Sequence, residues 1–172
     1  MMKAIVYTSN AGSTRRYAEE LSRRTKLPAY ALREARRAVK AGVEVLYLGW
    51  ICGGKVQGYA KAAGRYRIAA VCAVGLARTG TQEAVVRQKT QIPARTPVFT
   101  LQGDFDVQNL HGPYRWGMRI FQRAMKGKRP ETATPEEAAL LDGMLYGQKA
   151  VAPLHLEGVL AWWRAQEGRG NR

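Results

Sequence analysis

The residues best suited to chemistry in this 172-residue chain lie in four short loops, each following an apolar run. The first is Thr8-Ser9-Asn10-Ala11-Gly12-Ser13-Thr14, placed between the run Lys3 to Thr8 and an amphipathic stretch. It offers hydroxyls, one carboxamide, a glycine for close backbone approach and a helix start. First-turn N–H groups have no partner inside their helix, and the helix dipole favours an anion, so these are the parts of a phosphate cradle. The same residues also read as a plain polar turn with a good cap, and residue types alone leave both open. The loop lacks the lysine of G-x-x-x-x-G-K-[ST], which argues against an NTP-hydrolysing loop. G-x-G-x-x-G is absent too, so the dinucleotide fingerprint is missing.

The second loop, Gly49-Trp50-Ile51-Cys52-Gly53-Gly54-Lys55, sets a tryptophan and an isoleucine among three glycines. Trp50 suits stacking on a flat ligand, with backbone amides approaching through the glycines; the alternative is an apolar loop packed on a neighbouring helix. The third, Gly75-Leu76-Ala77-Arg78-Thr79-Gly80, brings amides and an arginine toward the same place. The fourth is Gln102-Gly103-Asp104-Phe105-Asp106, whose carboxylates read as loop solvators before ligand contacts or metal ligands.

Other chemistry finds little support. His111 and His155 are far apart and fit no H-E-x-x-H or Cys/His zinc spacing, so both read as structural. There is no G-x-S-x-G elbow. Cys52 and Cys72 sit in apolar surroundings and read as reduced, buried thiols of a cytosolic protein, although Cys52 falls in a candidate ligand loop. Glu136-Glu137 fits a helix start better than acid–base catalysis.

The elements that must position these loops alternate in kind. Lys3 to Thr8, Val43 to Leu48, Ile68 to Val74 and Pro97 to Leu101 read as strands, with Pro28 to Leu32 a short fifth. Helices are expected at 13–25 with Ser13 as cap or first-turn residue and at 55–63, 81–90 and 113–126, with 33–41 a basic, Ala-rich turn or short helix ended by Gly42. Two more follow, one from Thr134-Pro135 to about Gly147 and one at 156–163. Apolar strands separated by helices mean an α/β domain with a parallel sheet and helices on both faces. Ligands then bind beyond the carboxyl ends of the strands, where the four loops fall. We read 1–166 as a single domain and 167–172 as a frayed tail. No apolar run is long enough to span a membrane, and no signal peptide is evident at the start.

Charge narrows the company this domain keeps. Lys and Arg number 28 against 13 Asp and Glu, a net +15, which excludes an acidic carrier-type surface and points to anionic partners. Residues 1–50 carry +6, 51–100 carry +7 and 101–172 carry +2, so the excess is not a detachable tail. Arg15, Arg16, Arg23, Arg24, Arg36 and Arg37 also suit simple solvation of helix faces. The stretch from Trp116 to Lys126, followed by Gly127-Lys128-Arg129, suits either core packing or an anionic membrane surface.

Taken in order, T-S-N-A-G-S-T after the first strand, Y-L-G-W-I-C-G-G-K-V, A-V-G-L-A-R, P-V-F-T-L-Q-G-D-F-D and W-G-M-R-I-F-Q-R-A-M-K-G-K resemble the flavodoxin-like family. The later segments look like a subgroup of that family that includes the flavodoxin-type protoporphyrinogen oxidase. The resemblance implies a three-layer sandwich on a five-stranded parallel sheet in order 2-1-3-4-5. It also implies one noncovalent flavin mononucleotide (FMN) at the strand ends. Thr8 to Thr14 would hold the phosphate, Trp50, Ile51, Cys52 and Gly53 one ring face, and Gly75, Leu76, Ala77 and Arg78 the ring edge or other face. The implied function is a flavoprotein oxidoreductase or electron-transfer protein, cytoplasmic or peripheral at a membrane, working with a redox partner or small substrate. Flavodoxins that carry electrons are acidic. A basic chain favours the anionic reduced flavin, which suits substrate oxidation or quinone-linked chemistry. The alternative is a non-catalytic module of the same fold that binds an acidic partner or nucleic acid through its basic surface. Nucleic acid ranks below these, because basic residues are not interleaved with stacking aromatics.

Overall fold

The computed structural model of the chain describes residues 2–125 and 134–170. The sheet forms where side chains can be buried on both faces. Strand β1 (Ala4–Thr8) lies between β2 (Ala29–Ala31) and β3 (Glu44–Cys52), and β5 (Arg67–Gly75) and β6 (Val98–Gln102) continue beyond β3. Those five pair in parallel, with Val6 opposite Tyr30 and Tyr47, Tyr47 opposite Val71, and Ala73 opposite Thr100. A sixth strand, β4 (Lys55–Val56), turns back antiparallel on the end of β3, with Ile51 opposite Val56.

The sheet therefore has six strands in order β2-β1-β3-β5-β6 with β4 attached to β3, not five in order 2-1-3-4-5. The cause is local. Gly53 and Gly54 both take positive φ and close a hairpin, so β3 runs on through Gly49–Cys52, where a loop was expected. The helix expected at 55–63 shrinks to α3 (Tyr59–Ala63), because Gly58 at φ 81 starts a new segment. A Cβ on Gly58 would lie 2.4 Å from both Thr8 Oγ1 and Tyr47 Oη, so the chain can pass there only as glycine.

Period-2 alternation splits the sheet's side chains between two cores. Ile5, Leu46, Leu48, Cys72, Val74 and Leu101 face α1 (Ser13–Thr25) and α7 (Glu157–Gly170). Ala4, Val6, Val45, Tyr47, Val71 and Ala73 face α2 (Leu32–Ala38), α3 and α4 (Glu83–Thr90). This is an α/β fold with a mainly parallel sheet between two helical layers. In α1, Tyr17, Ala18 and Leu21 are buried, as their helical spacing predicts. Helix α7 carries residues 167–170 as helix, while 171–172 lie outside the described residues.

Two further helices stand apart from these layers. α5 (Pro113–Met125) has no buried residue. α6 (Pro135–Tyr146) begins on a capping box, with the Glu137 amide donating to Thr134 Oγ1 at 3.2 Å and the Thr134 amide to Glu137 Oε2 at 2.9 Å. Lys126 and the basic run Gly127-Lys128-Arg129 lie outside the described residues. Among the described residues no helix is long and apolar enough to cross a membrane.

Candidate functional site

The chain leaves β1 through α1 toward one face and leaves β3 toward the other, with β1 and β3 adjacent. Loops that part in this way open a crevice beyond the carboxyl ends of the two strands. Residues of the four candidate loops neighbour one another at these strand ends, where the Gly103 amide also donates to the Gly75 carbonyl at 2.7 Å. Ile51 Cδ1 would lie 2.9 Å from a Cβ on Gly75, and a Cβ on Gly103 would meet Ser13 Cβ at 3.2 Å.

The first loop is anchored at both ends. Thr8 Oγ1 pairs with Tyr47 Oη at 2.8 Å, and Tyr47 donates to the Gln57 carbonyl at 2.7 Å. Burial pushes the Tyr47 hydroxyl up to about 12, partly offset by its bond to Thr8. Gly12, in the left-handed region, is the residue before α1, so Ser13 is a first-turn residue and not the cap. Nothing from a side chain caps α1, and no acid occupies its first turn, so its amino end remains available to an anion. Ser13 Oγ instead bridges to Asp104, accepting from its amide at 3.0 Å and donating to its carbonyl at 3.2 Å. Asn10 is held by His111, whose amide donates to Asn10 Oδ1 at 2.8 Å. Ser9 Oγ is the exception, being buried with no hydrogen-bond partner. A lone buried hydroxyl costs free energy unless something outside the chain completes it.

Trp50 belongs to the end of β3 and is half-buried. Its ring meets Tyr114 of α5 edge-on, with centroids 4.8 Å apart and planes at 89°. Cys52 is half-buried and Cys72 fully buried, and burial pushes the Cys72 thiol well up. Only Cys72 therefore matches the expectation of an inert core thiol. The Leu76 carbonyl accepts from Gln102 Nε2 at 3.3 Å and Gln148 Nε2 at 3.0 Å, which ties the third loop to β6 and to the segment after α6. Arg78 is exposed. Beside it, a cavity of about 260 Å³ is lined by Leu76, Ala77, Arg78, Gln102, Leu140 and Gln148, among others. That cavity touches the third loop but neither Thr8 to Thr14 nor Trp50. A second cavity of about 300 Å³ lies between α1 and residues 151–153, away from the crevice.

Asp104 is a structural tie, not a loop solvator. Its Oδ1 accepts from the Ala150 amide at 2.6 Å and the Val151 amide at 2.8 Å, and its Oδ2 pairs with Arg16. Burial alone would raise its pKa, but the two amides and the Arg16 guanidinium outweigh that and hold the carboxyl below its ordinary value. Asp106 caps the turn at 107–109, accepting from the Gln108 amide at 2.8 Å. The hydroxyl of Tyr17 donates to the Gln102 carbonyl at 2.5 Å and sits 2.8 Å from His155 Nδ1. Burial raises the Tyr17 hydroxyl to about 12. Both histidines thus have structural partners. Among the described residues no cluster of His, Cys, Asp and Glu is placed to hold a metal.

Asn10–His111, Trp50–Tyr114, Asp104–Ala150 and Leu76–Gln148 pair residues far apart in the chain, so no local spacing announces them. No protein-family model matches the chain, and no curated protein or solved structure shows significant similarity to it.

Proposed function

We propose that the chain is a flavodoxin-like, FMN-binding oxidoreductase or electron-transfer protein built as a single domain, with its cofactor in the crevice between the β1 and β3 ends. The observation that carries this reading is the buried, unpartnered Ser9 Oγ beside the uncapped amino end of α1. A phosphate monoester supplies what both lack, an acceptor for the hydroxyl and an anion for the first-turn amides. Ser9 and the backbone of Gly12 to Thr14 would hold that phosphate. Trp50 and the segment Gly75–Arg78 would flank the ring, with Ile51 against Gly75 between them. Bound FMN would supply hydride and electron chemistry, while these residues fix its position and the surrounding charge sets its potential.

The fit asks the first loop to open at Ser9, whose Oγ is closed to solvent, while Ser13 and Asn10 keep the partners they have. It asks more of Trp50, whose edge contact with Tyr114 would have to make room for a ring. Titration of the purified chain with FMN, followed by quenching of flavin fluorescence, tests the proposal. Micromolar or tighter binding that weakens at least tenfold in Ser9→Ala supports it, and binding untouched by that substitution removes Ser9 from the site. A Ser9→Ala chain with unchanged thermal stability shows that the effect is on the ligand and not on the fold.

A further inference from the structure

One phosphate accounts for little of the +15, and the structure gathers part of the remainder at the other end of the sheet. Between residues 32 and 67 there are eight basic side chains and two acidic ones. Arg36 and Arg37 end α2, Lys40 follows in the turn to β3, Lys61 lies in α3, and Arg65 and Arg67 lead into β5. Three contacts lock these segments side by side. Arg65 Nη2 donates to the Arg36 carbonyl at 2.8 Å, the Gly42 amide to the Arg65 carbonyl at 2.7 Å, and the Arg67 amide to the Val43 carbonyl at 3.0 Å. All six cations except Arg65 are exposed, and Arg65 lies with its guanidinium 5.7 Å from the Tyr66 ring centroid. On α1, by contrast, Arg15, Arg16, Arg23 and Arg24 are matched by Glu19, Glu20 and Asp104. Of the two acids in this region, Glu34 is turned to the Ala31 amide and Glu44 lies opposite Arg67 in the β3–β5 pair.

Helix-end electrostatics do not explain so many charges. α2 has seven residues and α3 five, and a favourable cation at a helix end is worth about 0.3–1 kcal/mol, confined to the last turn. Nor does the candidate flavin site. The five residue steps from Glu44, opposite Arg67, to Gly49, opposite Thr8, at about 3.3 Å each, put Arg67 roughly 16 Å from the carboxyl end of β1.

We propose that this cluster binds the phosphodiester backbone of duplex DNA without reading its sequence. The chemistry of the patch selects that partner. Its arginine forks match phosphate oxygens. Among the described residues the large exposed apolar side chains, such as Trp116, Ile120 and Val85, all lie elsewhere, so the patch has nothing to seat in a bilayer or to anchor a protein interface. Tyr59 and Tyr66 are buried, which leaves no platform for stacking single-stranded bases. Residues 32–46 and 59–69 contain no Ser, Thr, Asn or Gln to recognise the 2′-hydroxyl of RNA. The proposal is independent of the flavin reading.

The test is anisotropy of a fluorescein-labelled, mixed-sequence DNA duplex titrated with the full chain. If the six cations neutralise about five phosphates, affinity falls by roughly 500-fold between ~50 and ~200 mM salt. The variant Arg36→Gln/Arg37→Gln/Lys40→Gln/Lys61→Gln should flatten the log–log salt slope by about 3.6, and the single changes Arg37→Gln and Lys61→Gln by about 0.9 each. The single changes keep the test valid if the quadruple variant does not fold. A control, Arg115→Gln/Arg119→Gln/Arg123→Gln/Arg164→Gln, removes equal charge elsewhere and should leave the slope unchanged. Four results overturn the proposal: no duplex binding at ~50 mM salt, equal loss in variant and control, tighter binding to an RNA duplex, or capture by phosphatidylserine vesicles with the duplex left free.

Discussion

Replacing Asp104 by alanine tests whether the end of β6 is held by one carboxylate. The side chain accepts two backbone amides through Oδ1 and pairs with Arg16 through Oδ2. Arg16 is 57% exposed, so that pair contributes at most about 1 kcal/mol. The amides matter more. Removing their acceptor leaves the Ala150 and Val151 N–H groups without a partner, at about 1–3 kcal/mol each. Because they share one oxygen and solvent reaches part of the site, we expect about 2–4 kcal/mol in total for Asp104→Ala and under about 1 kcal/mol for Arg16→Ala. For a chain of this size that corresponds to a melting temperature lower by about 4–16 °C. The pH dependence gives a second signature. The folded pKa of Asp104 lies below its ordinary value, so its contribution is fully present above the unfolded value of about 3.9 and is lost as pH falls through the lower folded value. Urea unfolding followed by far-UV circular dichroism at pH 7 and again in acid measures both. A wild-type-to-variant gap below about 1 kcal/mol at neutral pH, or a gap that does not narrow in acid, refutes the reasoning.

Other expectations follow from single contacts. Gly58→Ala places a Cβ against Thr8 Oγ1 and Tyr47 Oη at a positive φ, and should cost at least about 2 kcal/mol in urea unfolding. Tyr47→Phe removes the hydroxyl that joins Thr8 to the Gln57 carbonyl and should cost about 1–3 kcal/mol in the same assay. A double-mutant cycle on Trp50→Ala and Tyr114→Ala should return a coupling of about 0.5–1.5 kcal/mol, and zero coupling would mean that α5 does not rest on the end of β3. In an alkaline ultraviolet titration, Tyr17 and Tyr47 should ionise near 12, and Tyr17→Phe and Tyr47→Phe should each remove part of that late step. Because both folded values are raised, their stabilisation is complete below the unfolded value of about 10 and is lost as pH rises through 12.

The strands were legible because burial on both faces imposes a composition. VEVLYL and IAAVCAV have no polar face to offer solvent, and both became central strands. Helix α6 was legible because its start rests on a purely local contact between Thr134 and Glu137. The hairpin at Gly53-Gly54 was hidden for the opposite reason. A two-residue strand has no periodicity to read, and the glycines that close the turn suit a ligand loop equally well. At the candidate site the sequence marked the loops but not their joinery. Asp104 reads as one polar loop residue until the fold brings Arg16, Ala150 and Val151 to it across the chain. Trp50 likewise reads as an open stacking surface until α5 sets Tyr114 against its ring.

The central claim is that the crevice between β1 and β3 takes a flavin phosphate at Ser9 and the amino end of α1. The visible absorption spectrum of the natively purified chain, repeated after incubation with excess FMN and removal of the unbound fraction, tests it most directly. The account predicts a yellow protein with flavin bands at a stoichiometry approaching one FMN per chain, and loss of those bands in Ser9→Ala. A colourless protein that retains no FMN after incubation would contradict it.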